Sequence, residues 1–165
     1  MDIYPEYSNH DNPLTAALAA RTHKGSPMND RRIDLAALTL RLTLGTMFVA
    51  HGLLKVFVFT PAGTAKFFES LGLPAPLAYL TIAAEVLGGV ALLVGYRTRL
   101  VASALVPILL GAAWAHAGNG WVFSAPNGGW EYPVFMVFTS IAAAILGDGR
   151  YAIASAQPAP RLATA

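Results

Sequence analysis

Residues 48–59 read FVAHGLLKVFVF, an apolar run broken by a histidine and, one helical turn later, by a lysine. His51 and Lys55 are four residues apart, so on a helix they share a face. In water such a pair means little. In hydrocarbon a charged side chain costs about 2.5–3.5 kcal/mol even on the lenient insertion scale, so it faces a partner or water. The reading of the chain turns on which solvent surrounds this stretch.

Composition points to a bilayer. Hydrophobic residues make up 55% of the 165-residue chain and charged residues 12%, about half the fraction usual in soluble domains. A net charge of +2, carried by scattered basic residues, gives no footprint for nucleic acid. The absence of cysteine removes disulfides, thiolate metal sites and thiol redox chemistry together. Residues 1–32 lack a basic start followed by an apolar core, so no cleaved signal peptide is expected. They read as part of a flexible N-terminal tail over 1–34, with one short helical run near TAALAARTH.

About 20 apolar residues cross a bilayer. Four segments qualify: Leu35–Phe59, Pro76–Val94, Leu100–Ala117 and Tyr132–Gly147, with Pro107 tolerated inside the third. The predicted fold is therefore all-α, a four-helix transmembrane bundle over 35–149, followed by a loose C-terminal tail over 150–165. TPAGTAKFFESLGLPA, between the first two spans, holds a short interfacial helix with Phe67, Phe68 and Leu71 on one side. Arg21, Lys24, Arg31 and Arg32 precede the first span, Arg97 and Arg99 lie between the second and third, and Arg150 and Arg161 follow the fourth. The other two connections carry only Lys66, so both termini are expected to be cytoplasmic. Trp114, Trp121 and Trp130 then gather at the outer interface, as an aromatic belt does.

At 100° per residue, Arg41, Gly45, Phe48, His51, Gly52, Lys55 and Phe59 fall within an arc of roughly 120° on the first helix. The second span carries Glu85, followed by Gly88 and Gly89, which allow another backbone to approach closely. His116 ends the third span and Glu131 begins the fourth. Five ionisable groups, His51, Lys55, Glu85, His116 and Glu131, are thus expected to converge in the outer half of the bundle, with Arg41 capping it separately nearer the cytoplasm. Plainer readings stand beside this one. Lys55 can snorkel to the interface, Glu131 can be a favourable acid in a first helical turn, and His116 an interfacial aromatic. Glu85 can form a purely structural ion pair with Lys55 or Arg41.

The segments RLTLGTMFVAHGLLKVF, FFESLGLPAP, AAEVLGGVALLVGYRTR, HAGNGW, GGWEYP and GDGRYAI, in this order and spacing, resemble the DoxX family of four-helix membrane proteins. The resemblance covers about residues 35–153 and leaves out the N-terminal extension. It implies quinone-linked redox chemistry, in membrane-bound oxidoreductase complexes that include an archaeal thiosulfate:quinone oxidoreductase. The positions similar to the family's recurrent polar ones are Arg41, His51, Lys55, Glu85, His116 and Glu131, with Gly52, Gly88 and Gly89. Fold and family alone do not fix a reaction.

The resulting expectation is a quinone-interacting membrane subunit or accessory protein in a prokaryotic cytoplasmic membrane. His51 serves as hydrogen-bond donor or proton acceptor, Lys55 stabilises anionic character, and Glu85 carries a proton that His116 and Glu131 link to outer water. His51, Lys55, Gly52, Gly88, Gly89 and Trp114 form the expected quinone-binding set. The chain has no thiol pair, dinucleotide loop or iron–sulfur ligation, so electrons must come from a redox partner protein. The rival readings are a non-catalytic assembly protein, a small-solute transporter (with homo-oligomerisation supplying a second repeat), and a haem or metal site on His51 and His116. No metal or haem is expected.

Overall fold

A computed structural model describes residues 27–153. The expected helical turn at TAALAARTH and most of both tails lie outside the described residues. Among the described residues five helices follow one another: α1 Pro27–Phe57, α2 Pro61–Ser70, α3 Ala75–Val94, α4 Thr98–Ala115 and α5 Glu131–Leu146, with one 3-10 turn at Ala117–Asn119. No strand occurs among the described residues. Those from Ile33 onward pack as one compact unit, and the start of α1, up to Arg32, falls outside it.

Local chemistry sets the boundaries. α1 begins eight residues ahead of the expected span, because Pro27 and Asp30 suit a helix start even though PMNDRRID is too polar for hydrocarbon. It stops at Phe57, so Phe59 leaves the polar stripe and is exposed. α2 starts at Pro61, and the Thr60 hydroxyl accepts from the amide of Gly63 at 3.1 Å. α3 ends at Gly95, whose φ of 73° places it in the left-handed region while the Tyr96 amide donates back to Ala91 O at 2.8 Å. The first amide of α4 has a partner from elsewhere in the chain: Asp148 Oδ1 accepts from Thr98 N at 2.6 Å. α4 runs unbroken through Pro107.

Met28–Phe57, α3 and α4 are each long and apolar enough to cross a membrane, and α5 is a shorter apolar helix of 16 residues. The distribution of polarity is that of a protein solvated by lipid. Leu80, Leu87, Phe138 and Ile145 are 65–72% exposed, whereas Arg41 and Glu85 are 1% and 6% exposed. Water would penalise that arrangement on both counts, while hydrocarbon favours it. The chain is a multi-pass membrane protein. Its core joins Leu44 and Phe48 of α1, Leu92 of α3, Leu105 and Leu109 of α4, and Met136 and Val137 of α5.

Glycines bring α1 and α3 together. A Cβ on Gly89 would sit 2.8 Å from the Val49 amide nitrogen and 2.9 Å from Gly45 O. One on Gly52 would lie 2.6 Å from Val86 Cγ2. Only hydrogen fits at these crossings. Gly88 faces the other way, toward Leu105 of α4.

Candidate functional site

The close approach at Gly52 brings Lys55, in the last turn of α1, against Glu85 of α3. Lys55 Nζ donates to Glu85 Oε1 at 2.9 Å and Oε2 at 2.7 Å, a two-pronged ion pair linking the helices. The lysine of the apolar run is therefore neutralised by a carboxylate from another helix. Two of the three ammonium N–H groups are engaged with Glu85, which leaves one.

One turn back, His51 Nδ1 donates to Met47 O at 2.8 Å, and its ring stacks on Tyr132 of α5 with centroids 5.5 Å apart and planes at 21°. His116, at the end of α4, places Nδ1 at 3.0 Å from Asn127 O and 3.2 Å from Gly128 O. Asn119 Nδ2 donates to the same two carbonyls at 3.1 and 2.9 Å and holds the connection beside the ring. Carbonyl oxygens only accept, so in the neutral form of each ring the proton sits on Nδ1 and Nε2 carries the lone pair; Asn119 Nδ2 also approaches His116 Nδ1, at 3.3 Å. Neither Nε2 has a partner among the described residues.

His51, Lys55, Glu85, His116 and Tyr132 line one cavity of about 810 Å³. Phe48, Phe67, Phe68 and Phe123 supply much of its apolar wall, with α2 contributing two of the four rings. The Tyr132 hydroxyl is buried and has no hydrogen-bond partner among the described residues. A roomy, mainly apolar cavity with a few polar groups fits an amphipathic aromatic ligand. Among the described residues no three histidine, cysteine or acidic side chains come together as metal ligands.

Of the nine site residues expected from sequence, the structure brings His51, Lys55, Glu85 and His116 to this cavity. Glu131 lies one residue outside it, where Oε1 accepts from the Phe123 amide at 2.8 Å and ties down the preceding connection. Trp114 is exposed and absent from the lining. Gly52, Gly88 and Gly89 serve helix contacts instead of lining the cavity. Arg41 belongs to a separate cluster: Nη2 donates to Tyr151 O at 2.9 Å, Asp148 attracts it, and Nε and Nη1 lack partners among the described residues. Tyr132 and the wall from α2 were missed as site residues. The Glu131–Tyr132 order held a signal, since neighbours on a helix point about 100° apart, and Tyr132 and Pro133 line the cavity where Glu131 does not.

The sequence model of the DoxX family matches residues 36–118. A relative from Bacillus subtilis (strain 168), CatD, is by its name an oxidoreductase candidate. It is 34% identical over 120 residues, spanning 72% of this chain and 84% of CatD. No solved structure matches the chain significantly.

Proposed function

The chain belongs to the DoxX family, and on that footing we propose that it is a membrane subunit or accessory protein of a quinone-linked oxidoreductase system. One observation carries the reading: His51, Lys55, Glu85 and His116, from three helices, line the same aromatic-walled cavity. A quinone headgroup fits the donor set, because the unpartnered Tyr132 hydroxyl and the remaining Lys55 N–H can both meet a ligand oxygen. The apolar rings of Phe67 and Phe68 suit the start of a lipid tail. When bound, a quinone supplies chemistry that moves electrons together with protons.

The residues then divide the work. Glu85, with both oxygens engaged, orients the Lys55 ammonium. His51 presents Nε2 as a proton acceptor, its ring fixed by Met47 O and by the Tyr132 stack. His116 offers a second acceptor beside the 118–130 connection. Electrons pass to and from a redox partner protein. Calorimetric titration of a decyl-tailed benzoquinol and its quinone into purified protein tests this, with His51→Ala and Glu85→Gln as variants. Saturable binding that each variant weakens supports the reading; no binding of either compound sinks it.

The four apolar helices are read as a four-helix bundle with both termini in the cytoplasm. Arg31, Arg32, Arg97, Arg99 and Arg150 mark that side, and the cavity opens toward the outer leaflet. A second reading is favoured by the mutual Lys55–Glu85 pair, which is also what a helix-register lock looks like. Under that reading the chain assembles a larger complex without binding quinone. The exchange Lys55→Glu with Glu85→Lys should then restore assembly in the absence of any quinone affinity.

A further inference from the structure

The polar groups of the cavity are unequal in what they accept and donate. His51 Nδ1 is committed to Met47 O, and His116 Nδ1 to the carbonyls of Asn127 and Gly128. In their neutral form both rings therefore offer only a lone pair at Nε2. Lys55 has one N–H left over from Glu85, and the Tyr132 hydroxyl, buried and without a partner, can donate or accept.

We infer that the cavity selects the reduced, dihydroxy form of an aromatic ligand over its quinone, an inference that rests on the quinone-linked reading above. A hydroquinone donates two hydrogen bonds, one to each imidazole, while its oxygens still accept from Lys55 and Tyr132. Every group is then satisfied. A quinone has no hydrogen to donate, so it meets Lys55 and Tyr132 but sets carbonyl lone pairs against imidazole lone pairs. A polar group left unmet on burial against the ligand weakens binding by about tenfold. The preference comes from Met47 O, Asn127 O and Gly128 O, the backbone carbonyls that fix the two tautomers.

The test uses three probes of nearly the same shape: a decyl-tailed benzoquinol, its quinone, and its dimethyl ether, which accepts but cannot donate. Each is titrated calorimetrically, without oxygen, into the full chain in lipid nanodiscs. The quinol should bind about tenfold or more tighter than either of the others. His51→Phe keeps the stack on Tyr132 but removes the acceptor, and it should shrink that ratio, as should His116→Phe. The comparison among probes needs no variant to fold. Equal affinities, or a tighter quinone, overturn the selectivity while leaving the quinone-linked reading intact. If none of the three binds, the quinone-linked reading itself fails and takes the inference with it.

Discussion

Glu85 and Lys55 show how far single residues can be read. A carboxylate and an ammonium in apolar segments require each other, and the chain places them 2.7 Å apart. We expect a double-mutant cycle of Lys55→Met and Glu85→Gln to give a coupling energy of about 2 kcal/mol in thermal unfolding, below the fully buried range because Lys55 retains 21% exposure. Additive effects would contradict the pair. Tyr132 was harder to read for the opposite reason: an aromatic two residues after Trp130 at a helix start carries no anomaly, and the stack on His51 across the bundle gives it one. Gly95 yields a further prediction. Its φ is 73°, and a Cβ there would run into Arg41 Nη1. Gly95→Ala should therefore destabilise the fold by about 3 kcal/mol, from backbone strain and steric displacement together. A melting temperature unchanged from wild type would contradict that contact.

At the scale of elements, hydropathy located α3, α4 and α5 to within two residues, because apolar runs in a bilayer have a length set by its thickness. It misjudged the start of α1, where the helix continues beyond the apolar run. The α2 segment read correctly as helical with Phe67 and Phe68 together, yet its place in the cavity wall depends on tertiary packing that no local pattern encodes. The glycines of α3 and α4 differ in what they face. Gly89→Val should destabilise by about 3 kcal/mol, since the Val49 amide and Gly45 carbonyl are backbone and cannot move aside cheaply. Gly111→Ala in α4 should raise stability by about 0.5–1 kcal/mol, because nothing lies within 4 Å of its Cβ position. Chemical or thermal unfolding in mild detergent compares the two, and an equal response would refute the assigned α1–α3 contact.

For the whole molecule, the chain distributes polarity inside out, and its basic residues set a direction. Because it has no native cysteine, single substitutions report topology without background. Ser124→Cys and Ser70→Cys should react with an impermeant maleimide in intact cells, whereas Tyr96→Cys should react only after permeabilisation. The reverse pattern would invert the bundle. The site was partly legible at this scale: the sequence predicts convergence, but Glu131 and Trp114 fall outside because convergence on one end of a bundle does not mean facing its interior. The most direct measurement is calorimetric titration of the decyl-tailed benzoquinol into the native chain and into Gly111→Leu, whose side chain projects into the cavity instead of into protein. The native chain should bind saturably and the folded variant about tenfold or more weakly. Equal binding by both, or none by the native chain, would show that the cavity does not hold the ligand.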